Sequence, residues 1–372
     1  MSRGYQVIDA DGHIVEPHDM WDRYLDPKYA DRKPAMVKDA DGVTRFQLNG
    51  QLWPTPCGLG AGRPEGVGAF YDTDSAHRRE GGWDSAARLT DMDAEGIDVM
   101  VLYPSMLLMG IATIEDAGYA EAVCRAYNDW LADQCRHDPA RIIGVALVPL
   151  RHPQVAVREA RRGVKELGMR GVMAHPAPAD ERNLDHPDYD PVYAEIEALG
   201  VPLAFHEGGG GHERTLSSFR YDSYILTHVI SHPFEQMTAC ANMIVGGVFE
   251  RFPRLQVAYL EAGSSWLPGW LDRLDEHVER LHHLAPSLTL SPSEYFNRNC
   301  WISCDPDERT LAATIGLIGT DRIVWASDYP HLDARDGPVR KFFATQTSLT
   351  DADFRAILQD NPRRLYGLPV AG

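Results

Sequence analysis

Residues at opposite ends of this chain have the types and spacing expected of metal ligands. Asp11 and His13 end one short apolar run, and Asp328 ends another more than 300 positions later. Asp11 and His13 are two apart, so on an extended strand both side chains point to one face and could bind one divalent ion. Asp328 could bind that ion and accept a proton from the water attached to it. The alternatives are a strand-ending turn for Asp11 and a helix N-cap for Asp328.

Three further residues follow or border apolar runs and could take part in the same chemistry. His206 ends the run Val-Pro-Leu-Ala-Phe and, after Glu207, precedes four glycines, so it is either a ligand or a core histidine. Glu261 could act as a general acid or base, bind the ion, or be a buried glutamate paired with an arginine. His232 precedes a predicted helix and could supply an imidazole, or it could lie on the surface.

Other residues are candidates for substrate binding. Arg214 and Arg220 lie beyond His206, where a guanidinium could bind a substrate carboxylate with two hydrogen bonds. Trp53 and Trp266 could wall an aromatic substrate, although such residues more often belong to the core. His175, which also ends an apolar run, is a further candidate.

These residues can act at one site only if the fold brings the ends of distant strands together. Short apolar runs alternate with helical patterns, which is typical of βα units around a parallel sheet. Eight runs are predicted as strands, at 6–11, 98–104, 142–148, 169–175, 201–206, 256–261, 300–305 and 322–328. Eight strands close a (β/α)8 barrel of the TIM type, in which catalytic groups lie at the carboxyl ends of the strands. A doubly wound sheet would need a glycine-rich turn after an early strand, and none is present.

The segments between these strands are predicted to be helical. The predicted helices are 85–96, 116–137, 153–167, 191–199, 233–252, 266–284 and 307–318, with a helical tail at 351–366. A barrel needs roughly 250 residues, so much of the 372-residue chain is surplus. We place most of the surplus at 18–83, as a lid or subunit contact inserted after the first strand of a single domain, and a second excursion after the fifth strand.

Composition limits the classes of partner. The formal charge of −18 and the dispersed basic residues argue against nucleic acid and anionic membranes. No signal-type segment or bilayer-length apolar stretch is present, so we expect a cytoplasmic protein. Six cysteines without a CxxC pair are expected to be free thiols.

Four motifs carry a resemblance to a known family. They are Asp-Ala-Asp-Gly-His-Ile-Val-Glu-Pro (9–17), Phe-His-Glu (205–207), Met-Ile-Val-Gly-Gly-Val-Phe-Glu-Arg-Phe-Pro-Arg-Leu-Gln-Val (243–257) and Ala-Ser-Asp-Tyr-Pro-His (326–331). Together they make nearly the whole chain resemble the amidohydrolase superfamily, in the branch typified by aminocarboxymuconate-semialdehyde and dihydroxybenzoate decarboxylases. The resemblance implies a metal-dependent decarboxylase or hydrolase with Asp11, His13, His206 and Asp328 as ligands. It also implies self-association, as a homodimer or a higher oligomer.

The chain departs from that family's pattern at two strand ends. The first strand has Asp11 where many members have histidine or glutamate. The sixth strand of the family commonly ends in a His-x-Gly-Gly motif whose histidine donates a proton, and this chain has Glu261 there. Either Glu261 or His232 would therefore have to supply the proton.

The sequence thus predicts a barrel with one divalent ion, zinc before manganese, that decarboxylates a small aromatic or unsaturated acid. The ion would hold the carboxylate, Asp328 would manage a proton at the ion, and Glu261 or His232 would deliver the proton that replaces CO2. One alternative is hydrolysis of an amide, ester or vinylogous C–C bond by ion-activated water. Another is a non-catalytic binding barrel, since a fold alone does not guarantee activity.

Overall fold

A computed structural model describes most of the chain. The described residues are 4–40, 42, 44–53, 80–108, 110–177, 179–208, 215, 216, 220, 221, 224–331 and 334–369.

The predicted strands form parallel ladders in chain order. The barrel strands are β1 (Ile8–Ile14), β5 (Val99–Pro104), β6 (Ile142–Gly144), β7 (Ala146–Leu147), β8 (Val172–Ala174), β9 (Leu203–Phe205), β10 (Val257–Tyr259), β11 (Cys300–Cys304) and β12 (Ile323–Trp325). The segments β6 and β7 are two halves of the third strand, since β6 pairs with β5 and β7 pairs with β8. The strands are almost entirely buried because helices cover their outer faces. The prediction of an eight-stranded (β/α)8 barrel is confirmed.

The barrel closes between its first and last strands. The Asp328 N–H donates to the Asp11 carbonyl at 3.1 Å, and the His13 N–H donates to the Tyr329 carbonyl at 2.6 Å. The Asp9 side chain accepts from the Ser327 backbone N–H at 3.0 Å. We call this contact between β1 and the residues after β12 the seam.

Helices surround the barrel and continue beyond it. They are α1 (His18–Tyr24), α2 (Ser85–Glu95), α3 (Ala117–Cys135), α4 (Pro153–Lys165), α5 (Asp190–Leu199), α6 (Tyr224–Val245), α7 (Val248–Arg251), α8 (Leu267–Leu281), α9 (Pro292–Asn299), α10 (Leu311–Ile318), α11 (Pro338–Thr345), α12 (Asp351–Arg355) and α13 (Asn361–Tyr366). A π-helical turn, Ala356–Asp360, joins the last two. The helices α1, α9 and α11 were not predicted.

The predicted start of one helix is wrong. The sequence places the start at Pro233, but α6 begins at Tyr224 and carries Pro233 inside it. Proline is common at a helix start because its missing N–H is not needed there, yet the residues before it can still be helical. His232 therefore lies within the helix rather than ahead of it, one turn after His228.

The segment after β1 contains regular structure of its own. Strands β2 (Ala35–Lys38), β3 (Thr44–Leu48) and β4 (Gln51–Trp53) form an antiparallel sheet. Its buried side includes Phe46, Leu48 and Trp53, which belong to the main hydrophobic core. A role for residues 18–83 as a lid or subunit contact stays a prediction.

No helix in the described part of the chain is both long enough and apolar enough to cross a membrane. The five cysteines that the structure describes are free thiols, as predicted, and Cys57 lies outside the described residues.

Candidate metal centre

Side chains from four strand ends converge on one point at the barrel mouth. The His206 Nε2 atom lies 3.3 Å from Asp11 Oδ1 and 3.1 Å from Glu261 Oε2. The His13 Nε2 atom lies 3.5 Å from Asp11 Oδ1, 3.4 Å from Asp328 Oδ1 and 3.7 Å from Glu261 Oε2. We call Asp11, His13, His206, Glu261 and Asp328 the mouth cluster. Ligands about 2 Å from one ion are separated by distances of this size.

A bulge in β1 positions Asp11 and His13. Between Asp9 and Gly12 the register of β1 shifts against β5, so that β1 has one more residue than its partner. Such bulges re-aim side chains next to active sites. At Gly12 a Cβ atom would lie 2.6 Å from the Met100 Cγ atom, so only glycine fits between the two predicted ligands.

Both histidines of the mouth cluster are oriented by backbone carbonyls. The His13 Nδ1–H group donates to the Pro104 carbonyl at 2.8 Å, and the His206 Nδ1–H group donates to the Glu207 carbonyl at 2.8 Å. In the neutral form of each ring, this leaves the Nε2 lone pair directed at the cluster, as is usual for metal-bound histidine. The Glu16 carboxylate, three residues past His13, accepts from the backbone N–H groups of Met106 and Leu107.

Asp328 is held in an uncommon backbone conformation beside a histidine that we had not predicted as a site residue. Its φ is 57°, in the left-handed region that non-glycine residues seldom adopt. The His331 Nδ1 atom lies 2.9 Å from Asp328 Oδ1, and the His331 ring stacks on the His13 ring with centroids 3.8 Å apart. The His331 Nε2 atom contacts the Ser105 hydroxyl at 2.9 Å. The signal that could have identified it is the spacing of three within Ser-Asp-Tyr-Pro-His.

Glu261 joins the mouth cluster to a second set of buried residues. Its φ is 50°, and its backbone N–H donates to the Ser303 hydroxyl at 3.1 Å. The Glu261 Oε1 atom lies 3.1 Å from the His232 Nε2 atom. On the other side of His232, the Nδ1 atom lies 3.1 Å from the His228 carbonyl and 3.5 Å from Glu207 Oε2. The fold therefore brings together the two residues that the sequence had offered as alternatives.

Burial and charge shift the pKa values in this region in opposite directions. Burial holds the pKa of His13 well below its ordinary value, which favours the neutral ring. Burial also raises the pKa of Asp11, since an uncompensated carboxylate is costly there. For His232, burial favours the neutral form, but the carboxylates of Glu261 and Glu207 outweigh it and raise the pKa to about 10. Burial likewise opposes ionisation of Glu261, yet its histidine neighbours, His232 foremost, hold its pKa well below the ordinary value.

Several buried polar atoms of the mouth cluster have no hydrogen-bond partner among the described residues. They are Asp11 Oδ1 and Oδ2, His13 Nε2, His206 Nε2 and Glu261 Oε2. Buried polar atoms are otherwise almost always paired. The carboxylates of Asp11 and Glu261 and the two imidazole nitrogens face one another, with the Asp328 carboxylate beside them, and such a set fits a divalent cation, which would compensate these atoms at once.

The other predicted residues lie in varied places. The His175 Nε2 atom lies 3.7 Å from Glu207 Oε1, so His175 borders the second buried set and not the mouth cluster itself. Trp53 is buried beside Gly110, within the core under the β2–β4 sheet. Trp266 is half-buried just before α8, and the Arg220 side chain is exposed. Arg214 lies outside the described residues. The substrate-binding roles of these residues stay predictions.

Comparison with known proteins gives the family. The amidohydrolase family model matches residues 8–368. The chain belongs to this family. Among curated relatives, a gamma-resorcylate decarboxylase of Rhizobium sp. is 31% identical over 295 residues, which cover 76% of this chain and 87% of the relative. A 2-amino-3-carboxymuconate-6-semialdehyde decarboxylase of Dictyostelium discoideum is 27% identical over 250 residues, which cover 67% of each chain.

Solved structures agree with the fold. An amidohydrolase from Mycobacterium avium subsp. paratuberculosis superposes with a TM-score of 0.80 and 26% identity, over 98% of this chain and 100% of the other. A dihydroxybenzoic acid decarboxylase from Polaromonas, solved with manganese and 2-nitroresorcinol, gives a TM-score of 0.70 at 23% identity, over 99% and 98%. The predictions of the family, the barrel and an enzyme from the decarboxylase branch are confirmed.

Proposed function

We propose that this enzyme is a metal-dependent decarboxylase of a small aromatic or unsaturated carboxylic acid. The observation that carries the proposal is the mouth cluster, in which buried carboxylate and imidazole atoms of Asp11, His13, His206 and Glu261 face one another beside Asp328. The relatives support the reaction class, since those named above are decarboxylases of such acids. The net reaction exchanges the bond from carbon to CO2 for a bond from the same carbon to a proton.

We assign Asp11, His13, His206 and Asp328 as the residues that hold the ion. When bound, the ion supplies positive charge that compensates these carboxylates and holds the carboxylate of an anionic substrate. Zinc is favoured by the imidazole donors, and manganese by the carboxylates. Manganese is also the metal in the Polaromonas decarboxylase structure.

The remaining chemistry falls to residues of this chain. Glu261 and His232 share a contact of 3.1 Å, and we assign this pair to deliver the proton that takes the place of CO2. Asp328, held by His331, manages a proton beside the substrate. Burial of the mouth cluster excludes bulk water, which strengthens each of these interactions.

The test combines metal content with product analysis in three proteins. We expect wild type to contain about one zinc or manganese per chain, and Asp328→Ala to lose it or bind it weakly, with CO2 release reduced by about 100-fold or more. The matched control is Asp305→Ala, because Asp305 also follows a barrel strand but is exposed. The control should match wild type.

Carboxylic acids would be screened for CO2 release beside esters and amides for hydrolysis. No stoichiometric metal in wild type, even after zinc and manganese are added back, would contradict the proposal. Hydrolysis of an ester or amide without CO2 release from any acid would replace decarboxylation by the hydrolase alternative.

A further inference from the structure

A fully buried arginine lies directly behind the mouth cluster. Arg88, on α2, has 0% exposure, and no carboxylate within the described part of the chain forms an ion pair with it. Burial lowers its pKa to about 10, so the guanidinium stays charged at neutral pH. A buried charge without an ion-pair partner is costly, and an apolar side chain could fill the same space at lower cost. This points to a role for the charge and its donors.

The donors of Arg88 reach β1, which carries predicted ligands, the neighbouring strand β5, and the turn at Gly82. Its Nη2 atom donates to the His13 carbonyl at 2.6 Å and to the Gly82 carbonyl at 3.2 Å. Its Nη1 atom lies 3.0 Å from the Met100 Sδ atom. Met100 is the residue that leaves no room for a side chain at Gly12. Arg88 therefore fixes the backbone of β1 and the neighbouring side chain that packs against it.

The guanidinium also contacts the other side of the seam. Its central carbon lies 5.2 Å from the centre of the Tyr329 ring, within the range of a cation–π contact. Tyr329 follows Asp328, and its carbonyl accepts the hydrogen bond from the His13 N–H. The Arg88 side chain thus contacts His13, a predicted ligand on the first strand. It also contacts Tyr329, the neighbour of Asp328, which is a predicted ligand just after the last strand.

Arg88 also contacts the end of the long excursion after β1, at Gly82. Its carbonyl accepts from the Val15 N–H at 2.8 Å as well as from Arg88. The Gly82 backbone is therefore attached to the carboxyl end of β1 through two donors. A change in the position of this turn would therefore also shift the His13 carbonyl.

We propose that Arg88 is a positioning residue of the ion site, which holds the His13 and Asp328 backbones in register across the seam. This inference rests on the proposed function, because it assumes that the mouth cluster binds an ion. It assigns Arg88 no contact with the ion or the substrate. The geometry of the ligands depends on its donors, and the affinity for the ion depends on that geometry.

The test is the affinity for zinc and manganese of Arg88→Lys, measured by competition with a fluorescent chelator. Lysine keeps the charge but lacks the planar fork that reaches the His13 and Gly82 carbonyls together. We expect an affinity about 10 to 100 times lower, as for other residues that orient ligands. The matched control is Arg45→Lys, another buried arginine, which pairs with Asp39 beside the β2–β4 sheet. The control should keep wild-type affinity.

Two further measurements separate positioning from general stability. Melting of the metal-free proteins shows whether Arg88→Lys and Arg45→Lys are destabilised alike. In Arg88→Ala, added methylguanidinium should restore part of the lost affinity by occupying the vacated space, which a loss of folding would not allow. If Arg88→Ala does not fold, Arg88→Lys alone decides.

The outcomes distinguish the two proposals. Wild-type affinity in Arg88→Lys would overturn the positioning role while leaving the ion site intact. Equal losses of affinity in Arg88→Lys and Arg45→Lys, in proportion to their melting shifts, would also overturn it. A wild-type protein that binds neither zinc nor manganese would overturn the proposed function instead.

Discussion

Two glutamates in different parts of the barrel are both shielded from solvent, and their surroundings differ. Glu159, on α4, accepts from Asn128 Nδ2 at 2.8 Å, from Arg162 Nη2 at 2.6 Å and from Arg162 Nε at 2.9 Å. Glu261 contacts His232 through Oε1 and the histidines of the mouth cluster through Oε2, which also faces two more carboxylates. The first glutamate is held by an asparagine and an arginine, whereas the second lies among histidines and other carboxylates that can exchange protons or bind a cation.

The comparison also decides between interpretations that the sequence left open. A buried glutamate paired with an arginine was one reading of Glu261. That description fits Glu159, whose partner Asn128 also bonds both backbone groups of Leu147 in β7. Glu159 is held by groups that maintain the fold, whereas Glu261 and its partner His232 have shifted pKa values, which is typical of a functional site.

The largest effect should come from Glu261→Gln. Glutamine keeps an oxygen that can accept from His232, but it cannot carry the proton, so we expect kcat to fall by about 10² to 10⁴. The substitution weakens the contact with His232, but it also removes one of three carboxylates that face and repel one another. These effects oppose each other, so the free energy of unfolding of the metal-free protein should stay within about 1 kcal/mol of wild type. Steady-state CO2 release and urea unfolding measure the two quantities. A destabilised but active variant would place Glu261 with Glu159, as a structural residue.

The opposite result is expected for Glu159→Ala. Removal of the carboxylate leaves the donors of Asn128 and Arg162 with fewer partners, and unpaired buried donors cost about 1 to 3 kcal/mol. We expect that loss in the free energy of unfolding, with kcat close to wild type. Urea titration of the metal-free protein and CO2 release at saturating substrate are the measurements. A loss of kcat at unchanged stability would remove the distinction between the two glutamates.

A pH-dependent effect concerns Glu16, a third buried glutamate. Burial raises its pKa to about 7, above the ordinary 4.5. The folded state therefore retains a proton that the unfolded state releases between these values, so this contribution to stability is present at low pH and declines as the pH rises towards 7. In Glu16→Gln the free energy of unfolding should decline less steeply as the pH rises, by up to about 1.4 kcal/mol per pH unit. Urea unfolding from pH 4.5 to 8 measures it, and identical slopes in both proteins would contradict the assignment.

The sequence was informative wherever a feature depended on residues close together in the chain. Barrel strands are buried on both faces, so apolar runs revealed them, and Asp11, His206 and Asp328 stood at their ends. The β2–β4 sheet escaped prediction because its strands are short and partly exposed, which leaves little periodicity.

Features that depend on tertiary contacts could not be predicted. Nothing in the sequence around Arg88 distinguishes it from a surface arginine on a helix, and only the fold shows it behind His13. The pairing of Glu261 with His232 needs α6 to begin before Pro233, and a proline start signal argues for the opposite. The role of His331 depends on stacking against a strand from the other end of the chain.

The seam has a consequence for biosynthesis. Asp9 and Ser327, which are 318 positions apart, meet there, with predicted ligands on either side of the contact. During translation Asp11 and His13 leave the ribosome long before Asp328. The predicted ligand set is therefore assembled only after β12 has been synthesised and has docked on β1, so ion binding would report that the barrel has closed.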